Sequence, residues 1–245
     1  MAAGSGTGLR LIGIDRPGYG YSTAHAGRSI ADWVPDALAL ADHLNLPRFL
    51  AIGVSTGGAY ALALAATAPD RVSGVVACCA LSDMRWREGK AQMGVGATAI
   101  WDAPDRTAAV AAAEGMFGAD GSKMMSAASE GGLPEADMAM LSDPSFLEGW
   151  MASFGAMFAQ GVTGYVDDRI ADGVGWGTFD AASVRCPVVI EHGSADTICP
   201  VGHAYNTVRC VPSAELRVRD GLGHFSIVPT AIETLRELAV RAGRR

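Results

Sequence analysis

The chain has 245 residues, 49% of them hydrophobic and 18% charged, with a formal net charge of −7. That size buries a full core as one large domain or as a domain with an insert, and the acidic balance excludes a nucleic-acid surface, which needs clustered Lys and Arg. No apolar run approaches the roughly 18 residues that span a bilayer, and the start Met-Ala-Ala-Gly-Ser-Gly-Thr-Gly has neither a basic nor an apolar leader region, so a cytoplasmic protein without a membrane partner is expected. The five cysteines (Cys78, Cys79, Cys186, Cys199, Cys210) have no paired C-x-x-C spacing. They indicate reduced thiols rather than a disulfide framework or a zinc site, and no motif supports a metal or organic cofactor.

In chain order, the apolar run 9–14 predicts a strand that ends at the loop-type cluster Asp15-Arg16-Pro17-Gly18-Tyr19-Gly20. Ser29-Ile30-Ala31-Asp32 then has the form of a capping box that opens a helix to about Leu44, with Pro35 predicting a late start or a bend. A strand at 48–53 runs into Gly53-Val54-Ser55-Thr56-Gly57-Gly58, a small-residue helix follows at 59–66, and the β-branched run 72–77 predicts a fully buried parallel strand. Two more strands are predicted at 187–192 and 215–219, with an amphipathic C-terminal helix from Thr230 onward. This alternation predicts an α/β fold, a mostly parallel sheet with helices on both faces.

Residues 83–180 interrupt the alternation. They hold nine of the ten methionines and four of the five tryptophans, with helical signals and no convincing strand. The stretch predicts a helical cap inserted into a core made of 1–82 and 181–245, its Met and aromatic residues forming a small core of their own. A sharper reading turns Trp150, Phe154 and Phe158, at i, i+4, i+8 spacing, down over Ser55 to line an acyl pocket. The two readings are compatible, since a lid has two faces.

The decisive motif is the serine between two glycines at a strand-to-helix turn. Gly53 and Gly57 are expected where strand and helix meet too closely for a Cβ, and the following helix aims its N-terminal amides at any anion forming on Ser55. Downstream, Asp196 lies in the loop past the 187–192 strand and His224 in the loop past the 215–219 strand. Ser55, Asp196 and His224 in that order, each at the carboxyl end of a strand, resemble the α/β-hydrolase superfamily from Leu9 to the C-terminus. The likeness is greatest to its small bacterial serine esterases and carbon–carbon bond hydrolases with a helical lid.

The resemblance implies that Ser55 attacks, His224 takes and returns the proton, and Asp196 fixes the imidazole tautomer. It also implies that the Thr56 amide donates to the oxyanion and that the substrate is a small-molecule carboxylic ester. A serine at the elbow argues against haloalkane dehalogenases and epoxide hydrolases, which place an aspartate there. A carbon–carbon bond hydrolase remains open, with Arg85, Arg87 or Arg169 for a substrate carboxylate, as does a ligand-binding protein that has lost catalysis on the same scaffold. Asp83 is the reserve acid. His25, His43, His192 and His203 are expected at the surface or in packing, Cys199 as a packed side chain and Glu191 as structural.

One departure stands out. The resembled family has, before the predicted 9–14 strand, a strand ending in His-Gly whose loop gives the second oxyanion amide, and this chain has no counterpart. The fold is expected to be N-terminally shortened. The 9–14 strand is then expected to pair directly with 48–53, since unpaired ladder groups beside a core cost about 1–3 kcal/mol each. Gly18 or Tyr19 amides would complete the oxyanion hole. The alternatives are a longer native chain or a partner chain in that place, and an exposed sheet edge makes a homodimer an expectation.

Overall fold

Four parallel strands form one sheet in the order β1 (Phe49–Val54), β2 (Val72–Cys78), β3 (Val188–Gly193) and β4 (Ala214–Arg219) in the computed structural model, which describes residues 8–93, 97–123 and 132–243. Side chains along β2 and β3 alternate between the two faces. Val75, Ala77, Val188 and Ile190 join one core cluster, while Val76, Cys78 and Val189 join another. Both faces are therefore covered, which explains why these strands read as unbroken apolar runs.

On the first face lie α1 (Val34–His43) and α2 (Gly57–Thr67). The small side chains of α2 let it sit so close to β1 and β2 that every residue from Gly58 to Ala65 is buried. The capping box forms as read: Asp32 accepts from the Ser29 amide at 2.8 Å and from its hydroxyl at 2.9 Å. A short 3-10 turn, Ala31–Trp33, follows, and Pro35 falls in the first turn of α1, where its missing N–H costs nothing. The second face is covered by α9 (Val228–Gly243) through Ala231, Leu235 and Leu238.

Between β2 and β3 the described chain is helical: α3 (Arg87–Gln92), α4 (Arg106–Phe117), α5 (Glu135–Leu141), α6 (Pro144–Met157) and α7 (Thr163–Val174). Asp105 caps α4 and Asp143 caps α6 through backbone amides. Ile100, Ala113, Phe117, Phe158 and Val166 make a separate small core there. The last helix to place, α8 (Gly202–Cys210), connects β3 to β4. Among the described residues no helix is long and apolar enough to cross a membrane.

The strand expected at 9–14 is not formed, and its pairing with 48–53 is overturned. Those residues carry no strand assignment, β1 is the terminal strand of the sheet, and a cleft of about 810 Å³ lies between them, lined by Leu11, Ile12, Ile14, Ala51, Gly53 and Val54 among others. Side chains hold the segment instead. Leu9 packs against the buried cluster on one face of the sheet, Ile14 against the cluster on the other, and Arg16 and Tyr19 just beyond are tied to Asp168 on α7. These anchors set the path of the chain before any ladder with β1 can close.

Candidate active site

Parallel register brings the carboxyl ends of the strands to one rim. Val54 stands opposite Cys78, Cys78 opposite Glu191, and Gly193 opposite Arg219. Ser55 follows β1 directly with φ of 54°, in the left-handed region that a serine adopts only when its surroundings impose it. Its amide donates to Cys78 O at 2.9 Å, which pins the turn to the neighbouring strand. A Cβ on Gly53 would run into the Gly57 carbonyl, as expected. At Gly57, however, the nearest atom is the Arg16 guanidinium at 3.9 Å, while a Cβ on Gly58 would strike Ala80. The close strand-to-helix contact therefore falls on Gly53 and Gly58, one residue later than the motif suggests, because α2 turns its Gly58 side toward the end of β2. Thr56 N–H makes no hydrogen bond among the described residues and is free to meet an anion beside Ser55.

His224 Nδ1 lies 2.8 Å from Asp196 Oδ2, and the other carboxylate oxygen accepts from the Ile198 and Cys199 amides at 2.9 and 2.8 Å. The two loops are locked together: Ala195 N–H donates to Leu222 O, and a Cβ on Gly193 would collide with that carbonyl. Burial opposes charge on the His224 imidazole, but the neighbouring Cys79 sulfur and the Asp196 carboxylate together outweigh it, and the imidazole titrates above its ordinary value. Cys79, left-handed at φ 41°, puts its Sγ 4.0 Å from His224 Nε2. Burial pushes its thiol well above the ordinary range. Among the described residues no hydrogen bond joins Ser55 Oγ to His224. Cys79, Asp196 and His224 present ligand-type atoms within 4.8 Å of one another, yet Asp196 is bonded to the Nδ1 side of the ring while Sγ faces Nε2, so the carboxylate orients the imidazole rather than sharing an ion with the thiol.

The reserve acid is not brought to the histidine: Asp83 pairs with Arg85 at 2.5 Å. His25 and His43 are exposed, whereas His192 and His203 are buried, bonded to Cys199 O and Ser82. Burial lowers both, His203 to about 4. Glu191 is wholly buried and ties Arg219 and Thr234 to the sheet. Cys199 is packed, its thiol also raised by burial.

The oxyanion assignment to Gly18 and Tyr19 does not fit. Gly18 N–H donates to Ser22 O at 3.3 Å and Tyr19 N–H to Arg16 O at 3.0 Å, so both amides are spent inside their own turn. What this loop does instead was not legible in the sequence. Arg16, Tyr19, Arg28 and Tyr60 all converge on Asp168 of α7, at 2.5, 2.7, 2.6 and 2.8 Å. Burial alone would raise that carboxyl, but the Arg16 and Arg28 guanidiniums hold it at about 2. Next to it, Arg169 donates to the Thr56 hydroxyl, pairs with Asp172 at 2.8 Å and lies over the Trp101 and Tyr165 rings. A helix carrying Asp167-Asp168-Arg169 reads as a solvated face; the one local hint is Gly164, whose backbone touches Gly18.

Of the predicted pocket residues, Trp150 reaches the site, its ring 5.5 Å from that of Phe225, which in turn lies 5.7 Å from His224. Phe154 stacks edge-on against Trp150 at 4.3 Å. Phe158 does not reach it. At the end of α6 it turns into the insert's own core with Phe117 and Tyr165, because the helix rotates it off the Trp150 face.

The sequence profile of the alpha/beta hydrolase fold matches residues 2–229, and the chain belongs to that family as one of its hydrolases. Among curated relatives it is 25% identical to a 2-hydroxymuconate semialdehyde hydrolase of Pseudomonas putida, over 91% of this chain and 73% of that protein. It is 27% identical to a proline iminopeptidase of Xylella fastidiosa, over 92% of this chain and 78% of that protein. Among solved structures, an esterase from Exiguobacterium antarcticum shares the fold with a TM-score of 0.60 at 19% identity, over 94% of this chain and 80% of that one.

Proposed function

We propose that the protein is a cytoplasmic serine carboxylesterase acting on small to medium esters, with residues 83–180 as a cap over the site. The observation that carries this reading is the Asp196–His224 pair at 2.8 Å on the same strand rim as the left-handed Ser55. Substrate binding brings Ser55 Oγ to His224 Nε2, a contact that such sites commonly tighten only in the complex. His224 takes the hydroxyl proton as Oγ bonds to the ester carbonyl carbon. The carbonyl oxygen becomes an oxyanion facing Thr56 N–H and the N-terminus of α2. The intermediate collapses, the C–O bond to the alcohol breaks, and His224 returns the proton to the departing oxygen. Water, deprotonated by the same imidazole, then hydrolyses the acyl-enzyme to the carboxylic acid and restores Ser55. Trp150 and Phe154 form the apolar wall for the acyl or alcohol chain.

Two of the arginines that a carbon–carbon bond hydrolase would turn to a substrate carboxylate are engaged, Arg85 by Asp83 and Arg169 by Asp172. This favours an uncharged ester. Purified protein mixed with p-nitrophenyl acetate and butyrate is expected to release p-nitrophenol, with Ser55→Ala slower by on the order of 10³-fold or more. Equal rates for the two proteins would discard the reading.

A further inference from the structure

Resting on the hydrolase reading above, we infer that Asp137, contributed by α5 of the helical insert, is a positioning residue for His224. Its carboxylate accepts from three consecutive backbone amides, His224 N at 2.8 Å, Phe225 N at 3.1 Å and Ser226 N at 2.8 Å, and from Ser226 Oγ at 2.6 Å. Asp137 is fully buried. Charge-assisted bonds of this kind are about twice as strong as neutral ones, and without the acceptor one buried and two half-buried donors would be left unmatched. The turn 224–227 leads into α9, yet its first amides point away from that helix and toward α5, so its position is set from outside its own element.

Two further features are built around this contact. A Cβ on Gly223 would collide with the Asp137 carboxylate and with Pro134, so the glycine before the histidine is there to admit α5. Trp150 on α6 presses on Phe225 from the same side. The base is thus held from two directions. Asp196 sets the ring through Nδ1, and Asp137 sets the backbone that carries the ring.

The test compares Asp137→Asn and Ser226→Ala with the wild type, following kcat and KM on p-nitrophenyl butyrate and titrating the His224 imidazole by NMR on histidine-labelled protein. Asp137→Asn is expected to lower kcat on the order of 10- to 100-fold with KM within about twofold, and to shift the acid limb and the imidazole titration together as the ring loses its fixed contact with Asp196. Ser226→Ala, which removes only the hydroxyl, is expected to lower kcat about twofold to fivefold. A melting temperature that falls while kcat and the His224 titration stay put would make Asp137 a structural clamp and overturn the inference. If Asp137→Asn does not fold, an unchanged titration and kcat in Ser226→Ala overturn it equally. Should the wild type cleave no ester, the esterase reading falls, while the substrate-free imidazole titration still decides the role of Asp137.

Discussion

A methyl group has no room at Gly53 or Gly58, but it fits at Gly57, which begins α2 with ordinary φ and meets only the Arg16 guanidinium at 3.9 Å. Gly57→Ala is therefore expected to keep or raise stability by up to about 1 kcal/mol, through a less entropic unfolded chain. Gly58→Ala is expected to cost about 1–3 kcal/mol as the elbow is forced off Ala80. Urea melts of the two variants check the contrast, and equal losses would place the close contact where the motif alone put it. At His224 the sign of the pH dependence follows from the raised imidazole. The base must be neutral to accept the Ser55 proton, so kcat/KM is expected to climb with pH through a midpoint above the ordinary histidine value of 6.5. Asp196→Asn removes one of the charges that raise it, and is expected to move that midpoint down and lower kcat on the order of 10⁴-fold. A pH–rate series on both proteins reads the two effects.

Helix α7 carries a charge arrangement that the core could not tolerate in pieces. Asp168 is buried among two guanidiniums and two phenols, so Asp168→Ala strips Arg16 of its carboxylate, leaves Arg28 only Asp167 at 3.9 Å, and is expected to cost about 3–5 kcal/mol by denaturant unfolding. One turn further on, Asp172 is driven the other way. Burial, aided by the Asp168 charge, outweighs Arg169 and raises its carboxyl from 3.8 to about 7. Between those values the folded protein binds a proton that the unfolded chain has released, so this group's contribution to stability declines as pH rises from about 4 through about 7. Asp172→Asn is expected to flatten that decline. A stability–pH curve with the wild-type slope in the variant would assign the dependence to other groups.

Across the whole molecule, the open flank of β1 governs how the N-terminal segment is held. Leu11 and Ile12 are 38% and 40% exposed, and no ladder with β1 depends on them. Leu11→Lys and Ile12→Lys are expected to change stability by no more than about 0.5 kcal/mol each, measured by thermal melting. A loss of several kcal/mol at either would mean that the segment pairs with the sheet in solution.

Much of this architecture was written locally. Alternating faces in β2 and β3, the capping box at Ser29 and Asp32 and the strained turn at Ser55 depend on residues near one another in the chain, where period and backbone sterics act directly, and Ser55, Asp196 and His224 each follow a strand legible in its own segment. The parallel sheet follows from them. What the sequence left open hangs on distant partners. Asp168 meets groups 108 to 152 positions away and Asp137 meets groups 87 to 89 positions away, and no local pattern marks either acid. The commitment of the Gly18 and Tyr19 amides, the burial of Phe158 and the separation of 9–14 from β1 were likewise decided by tertiary contacts. Whether a polar group is free, paired or buried is set by whatever the fold brings against it, and short-range pattern carries no record of that.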